Sequence, residues 1–382
     1  MGLKVCLSGS ICNKNKSGGI AWLYFTWALG LRDLGCHVIW LEAEYVDPSI
    51  SEDELKDYLG LIKNQLKQYG LGDCSIALSS RNGESLPWDS SGWYLSLDDI
   101  VSEADLFLNL AYHSHPRVVE RFRKSALVDT DPGLVQFWIS KGQLEMARHD
   151  IYFSIGETVG TPAARFPDCG IQWHYTPPPA FLPAWPTYEA NSEAPYTTVS
   201  NWWGDWVEYQ GKTISNEKRT AFLEFLELPS RTSGNLELAL TLGPDDVDKK
   251  ERSLLIQNGW KIFSLWGDTS FTPEGYRKYV QKSRGEFSCA KPFFVLLESS
   301  LMFDRTLHYL ASGKPAIIQY TGPSRFLPES EGLFRFRNME EAAAALEKVE
   351  ADYDRHARAA RALAEEYFDA RKVINSVLER AL

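Results

Sequence analysis

With 382 residues and a formal net charge of -11, the chain is long enough for two domains and too acidic for a nucleic-acid surface or a polybasic membrane anchor. Its apolar runs are too short to span a bilayer, and the opening MGLKVCLSGS turns polar too soon for a signal peptide. Cys6, Cys12, Cys36, Cys74, Cys169 and Cys289 form no C-x-x-C pair, which predicts buried thiols in a reducing, cytoplasmic compartment.

In chain order, LKVCLSGS predicts a strand, ICNKNKSGG a loop, IAWLYFTWALGLRDLG a helix and CHVIWLE a second strand. This β-loop-α-β unit belongs to a parallel sheet. Gly18 and Gly19 stand in the loop just before the helix, where bare backbone can approach a phosphate or sugar; a plain turn explains them equally. There is no G-x-G-x-x-G, so a dinucleotide oxidoreductase is disfavoured. SEDELKDYLGLIKNQLKQYG reads as an amphipathic helix with a Ser N-cap. The buried strand ADLFLNLA then exits through AYHSHPR, which carries His113 and His115. Ligands of open α/β sheets collect beyond the carboxyl ends of strands, so a general base at His113 is one reading. A metal site would need further ligands nearby, and none is expected. SALVDTDPGLVQFW ends another strand at Asp129-Thr130-Asp131-Pro132. Asp129 and Asp131 there suit sugar hydroxyls or an acceptor proton, while an N-cap role for Asp131 stays open.

The proline-dense stretch 176–195 predicts the linker between domains. Beyond it, a strand, a Trp-Gly loop and a helix open the second half, and WKIFSLWGD ends a later strand at Leu265-Trp266-Gly267. Residues 298–322 predict a loop, a helix over 301–312, a Gly313-Lys314-Pro315 turn and a short strand ending at Tyr320-Thr321-Gly322. A loop feeding a helix start is an anion site in waiting, because the first N–H groups lack intrahelical partners. Asp304 with His308, and Arg305 with Tyr309, are i, i+4 pairs on that helix.

The run from Arg305 through YLASGKPAIIQYTG, FLPESEGLFRF and the helical tail from NMEEAAAALEKVEADYDRH onward resembles the donor half of GT-B glycosyltransferases, and more closely a bacterial branch related to glycosyltransferase family 4. The resemblance is detailed over 200–382 and weaker before it. It implies an α/β chain of two Rossmann-like domains with mostly parallel sheets facing an interdomain cleft. The expected bounds are 1–185 for an acceptor-side domain, 186–365 for a nucleotide-sugar donor domain, and 366–382 for a helix crossing back to the first domain.

The implied activity is metal-independent transfer of a sugar from a nucleotide-diphosphate sugar, the co-substrate, to an acceptor that is a small molecule, a glycan or lipid-linked, by a hexosyltransferase-like enzyme of the retaining kind. No other cofactor, nucleic acid or membrane segment is expected, and the chain is read as monomer or homodimer. By the same resemblance Gly18 and Gly19 approach the donor, Trp266 stacks on the nucleobase, and Lys212, Lys291 and Arg305 face the diphosphate. Asp304, His308, Thr321 and Gly322 complete the donor set. Matching the Gly-x-Pro turn places Ser300 and His308 where many family-4 enzymes carry glutamates; Glu298 and Asp304 are the nearest carboxylates. A sugar-nucleotide epimerase or hydrolase, or an inactive sugar-nucleotide-binding module, are the alternatives.

Overall fold

A computed structural model describes residues 2–11, 18–43, 45–189, 191–327 and 331–382. The chain divides into two compact units, Met1–Phe181 with Asp369–Leu382, and Leu182–Phe368. The divisions thus lie at 181/182 and 368/369, against the 185/186 and 365/366 of the sequence reading. Trp185 explains the first difference: it is fully buried and stacks on His308 of the second unit, so the chain has already changed units by then.

In the first unit, β1 (Lys4–Gly9), β2 (His37–Glu42), β3 (Ser75–Ala77), β4 (Leu106–Asn109), β5 (Ser125–Asp129), β6 (Ile151–Ser154) and β7 (Trp173–Tyr175) form one sheet in the order β3-β2-β1-β4-β5-β6-β7, all parallel. The central strands are nearly continuous apolar runs because helices cover both faces. Those helices are α1 (Gly18–Asp33), α2 (Glu52–Gln68), α3 (Leu97–Glu103), α4 (Pro116–Val119) and α5 (Leu134–Ser140). α2 starts at a Ser51/Glu54 capping box and buries Leu55, Leu59, Ile62 and Leu66, one face at helical spacing. α1 begins at Gly18, so Gly18 and Gly19 are its first residues and not loop. The loop readings at Cys12 and the rest of 12–17 lie outside the described residues.

The second unit holds β8 (Tyr196–Ser200), β9 (Trp206–Tyr209), β10 (Lys212–Ser215), β11 (Leu236–Leu240), β12 (Lys261–Ser264), β13 (Gly285–Ser288), β14 (Ala316–Gln319) and β15 (Leu333–Phe336). Six of them make a parallel sheet, β12-β11-β8-β13-β14-β15, while β9 and β10 form an antiparallel hairpin. The hairpin occupies the Trp-Gly stretch expected as loop; Gln210 and Gly211, at φ 49° and 74°, make its two-residue turn. Its helices are α6 (Lys218–Leu223), α7 (Asp246–Gln257), α8 (Pro273–Lys282), α9 (Pro292–Leu297), α10 (Asp304–Ala311), α11 (Met339–Ala351) and α12 (Tyr353–Tyr367). Tyr196, Trp202, Phe222, Phe225, Trp260, Phe287 and Phe336 dominate the core.

The last helix, α13 (Ala370–Ala381), belongs to the first unit and lies on α1. Gly30 lets it approach: a Cβ there would sit 2.4 Å from Ile374 Cδ1. The Ala370 N–H donates to Ala180 O at 2.9 Å, and Arg371 pairs with Asp33.

Candidate functional site

Strand order reverses in the second unit between β8 and β13, the position where open α/β sheets hold ligands beyond their carboxyl ends. The two strands pair only at Tyr196–Gly285 and Thr197–Glu286 and then part. The Arg305 guanidinium fills the opening. It donates to Val199 O on one strand at 2.9 Å, and on the other to Glu286 Oε1 at 2.8 Å and Ser288 Oγ at 2.6 Å. Arg305 is therefore an internal brace with its donors engaged inside the unit, rather than the open phosphate contact expected. Burial alone would push its pKa down, but the Glu286 carboxylate outweighs that and holds it above the usual arginine value.

A second cation stands beside it. Lys218, at the start of α6, is buried, donates to Cys289 O, and lies 5.1 Å over the Phe303 ring, which also backs Arg305 at 5.8 Å. Burial, then the charges of Arg305 and Lys291, hold its pKa well below the ordinary lysine value. Lys291 is the half-buried N-cap of α9. Three cations thus converge at the end of β13 against one buried carboxylate, Glu286. Lys212, in contrast, is an exposed residue of the hairpin.

In front of α10 the chain 298–303 makes a tight clasp. Glu298 and Ser300 both adopt left-handed backbone, φ 48° and 56°, which is costly for residues with a Cβ and marks a constrained loop. Ser299 between them is fully buried, and its hydroxyl has no hydrogen-bond partner among the described residues. Ser300 N donates to Thr321 O at 2.8 Å, Thr321 Oγ1 donates to Leu301 O at 2.9 Å, and Ser300 Oγ donates to Pro323 O. Gly322, at φ 132°, permits the approach, since a Cβ there would meet Glu298 O at 2.6 Å. Thr321 and Gly322 are thereby set against the loop, and Asp304 is the first residue of α10.

His308 does not join them. It is buried, stacked on Trp185 with ring centroids 4.2 Å apart, and its Nδ1 meets Tyr276 Oη at 3.0 Å. Burial, with Arg305 one turn away, pushes its pKa down to about 3. The reason is the helix face: α10 turns His308 toward α8 and the 182–185 turn, into the core.

At the ends of β11 and β12, Trp266 is 58% exposed. Its ring lies against Gly243, where a Cβ would be 3.4 Å from Cε3. The buried Asp248 carboxylate accepts from Gly243 N and, at 2.7 Å, from Trp203 Nε1, so a second exposed indole is anchored at the same point. Lys218, Glu286 and Asp248 escaped the sequence reading. Glu286 had a signal, a carboxylate inside the apolar run GEFSCA; Lys218 had none, because EKR at a helix start reads as a solvated face.

In the first unit, Asp129 ends β5 fully buried. It accepts from Asp131 N, Gln136 Nε2 and Ser154 Oγ, each at 2.9 Å. Burial pushes its pKa up to about 6 against the pull of those donors. A carboxylate sealed in this way cannot touch an acceptor; it fixes the turn that presents Asp131. Asp131 is half-buried and hydrogen-bonds Tyr112, whose phenol is raised by burial and by both aspartates. His113 is exposed, its ring edge-on to Tyr112 at 5.7 Å. His115 instead caps α4, accepting Arg117 N at 3.1 Å. Among the described residues no three His, Cys, Asp or Glu side chains gather as a metal site, and no helix is long and apolar enough to cross a membrane.

No family model matches the chain, and no curated protein matches it in sequence. Solved structures do match over the whole length. An alpha-glucosyltransferase in complex with UDP and a 13-mer DNA containing a central A:G mismatch aligns with TM-score 0.61 at 10% identity, over 100% of this chain and 99% of that one. HepE of Anabaena in complex with UDP-glucose aligns with TM-score 0.56 at 11% identity, over 99% of both chains. AviGT4, a glycosyltransferase involved in avilamycin A biosynthesis, aligns with TM-score 0.50 at 12% identity, over 99% and 97%. The chain has the fold of GT-B glycosyltransferases. Kinship to family 4 in particular rests on the sequence motifs alone.

Proposed function

We propose that the protein is a glycosyltransferase that moves a sugar from a nucleotide-diphosphate sugar to an acceptor without a metal ion. The observation that carries this is the convergence of Lys218, Arg305 and Lys291 behind the strained 298–303 clasp, at the strand-order reversal of the second unit. Sugar transfer leaves a nucleotide diphosphate, and its departing charge needs fixed positive partners in a site of low dielectric. Lys218 and the first N–H groups of α10 supply them, with Arg305 holding the strands and the local potential. The fold match to an alpha-glucosyltransferase in complex with UDP and to HepE in complex with UDP-glucose supports the same reading, and points to UDP as the first donor nucleotide to try.

Trp266 and Trp203 offer exposed faces for the base. In the first unit Asp131, backed by Asp129 and Tyr112, receives the acceptor proton, with His113 beside it. The departing phosphate takes that role if the reaction is retaining. A net charge of -11 favours an acceptor other than nucleic acid, although one protein of this fold is found with DNA.

Calorimetric titration of UDP in EDTA tests the reading. Saturable binding that weakens in Lys218→Met is expected. Absence of binding by UDP and every other nucleoside diphosphate would overturn it. UDP released from UDP-glucose without acceptor would show a hydrolase, and binding without turnover a recognition module.

A further inference from the structure

The outer edge of β15 borders a groove of about 1190 Å³, bounded by the chain after Gly322 on one side and by α11 on the other. Arg325, Arg335, Arg337 and Lys348 line it. Two carboxylates also line it, and both are occupied. Glu331 forms an ion pair with Arg355, and Glu341 accepts Arg337 N at 2.7 Å and Asn338 Nδ2 at 3.3 Å as part of the α11 cap.

Arg337 and Lys348 are held by rings instead. The Arg337 guanidinium lies 3.8 Å over Tyr320, and the Lys348 ammonium 5.2 Å over Phe334. Among the described residues neither comes within ion-pair distance of a carboxylate. Basic side chains on an edge strand often serve only to discourage pairing with another chain. That role needs charge pointing to solvent along the strand. Here Lys348 comes from α11 and Arg337 from beyond the strand end; both are exposed, and each lies over a ring that lines the groove. Four basic side chains against two carboxylates that are already bonded elsewhere leave the groove net positive, in a chain whose net charge is -11.

We propose that this groove binds the phosphate or diphosphate group of a soluble ligand, with Arg337 and Lys348 as its principal contacts. Guanidinium suits the planar, bidentate recognition of phosphate oxygens, and the ammonium adds a point charge. The groove shares a wall with the clasp, since Ser300 Oγ donates to Pro323 O and Pro323 also lines the groove. The phosphate of that ligand therefore lies beside the clasp within the second unit, and the anion site does not depend on the transferase reading.

The probe is inorganic pyrophosphate, titrated by calorimetry into the full chain with and without saturating UDP. One pyrophosphate site is expected to persist under UDP. Arg337→Gln with Lys348→Gln should weaken it by at least about tenfold, the loss of charge-assisted bonds, while UDP affinity stays unchanged. If UDP does not bind but pyrophosphate binding still responds to the two substitutions, the transferase reading fails and the groove stands. Pyrophosphate wholly displaced by UDP, or bound equally by wild type and variant, would overturn the proposal. Binding to phosphatidylglycerol vesicles that is lost in the variant, with no pyrophosphate site, would overturn it in favour of a membrane surface.

Discussion

Single residues carry the proposed chemistry unequally. Trp266 is exposed, with its ring against Gly243 and no core to fill, so its replacement tests binding rather than stability. A stacked base is worth about 1–3 kcal/mol, so Trp266→Ala should weaken UDP binding by about 5- to 150-fold at unchanged melting temperature. An unaltered dissociation constant would return the base to another wall. The two aspartates should separate by type of effect. Asp131→Asn, if Asp131 is the base, lowers kcat by about 10²–10⁴ with UDP affinity intact. Asp129→Asn relieves a buried charge but sets an amide NH2 against the Gln136 Nε2 donor, so it should act through its hold on the turn that presents Asp131, with a smaller loss of kcat and a lowered melting temperature.

At the scale of elements, the clasp and α10 set the limits of tolerance. Gly322→Ala would drive a Cβ into Glu298 O, so the expected result is a displaced 298–303 loop and weaker UDP binding, read together by calorimetry and thermal melting. His308 gives a pH dependence. Its folded pKa of about 3 lies below the ordinary value of about 6.5, so the folded state refuses a proton that the unfolded chain accepts. Stability is full above about pH 6.5 and falls as pH drops toward 3. His149, pushed down to about 4 by burial in the first unit, adds to the same slope. Urea unfolding at pH 7 and pH 4.5 should show a smaller difference in His308→Phe than in wild type.

These elements also show what was legible beforehand. The Gly313 stop, the apolar strand 316–319 and the i, i+4 spacing placed α10 and its neighbours within a few residues, because period and breakers are local. What the spacing left undecided was which of two polar faces looks outward. Arg305 and His308 were read as ligand contacts and are interior groups, since their burial depends on β8, β13 and Trp185, all distant in sequence. Lys218 was passed over for the converse reason. The β9–β10 hairpin was missed because its alternation is broken by Gln210-Gly211, a turn whose strands are short and mostly exposed.

On the scale of the whole molecule, the affinity for nucleotide should depend on pH through Lys218. An arriving anion raises a pKa that burial has depressed, so in the pH window between the free and the bound pKa binding takes up a proton and weakens as pH rises. The slope of log Kd against pH should flatten in Lys218→Met, and a slope equal in both proteins would place the titrating group elsewhere. The order of the chain has a separate consequence. The first unit is interrupted by the whole of the second and is closed by α13, whose Ile374 fills the space over Gly30. During synthesis the first unit therefore stays unfinished, its α1 surface bare, while the whole of the second unit is made. The nascent first unit must wait for residues 369–382, and during that wait it is a natural client for chaperones. A stop codon after Phe368 should leave an intact second unit tethered to a first one that aggregates, and α13 supplied as a separate peptide should rescue it.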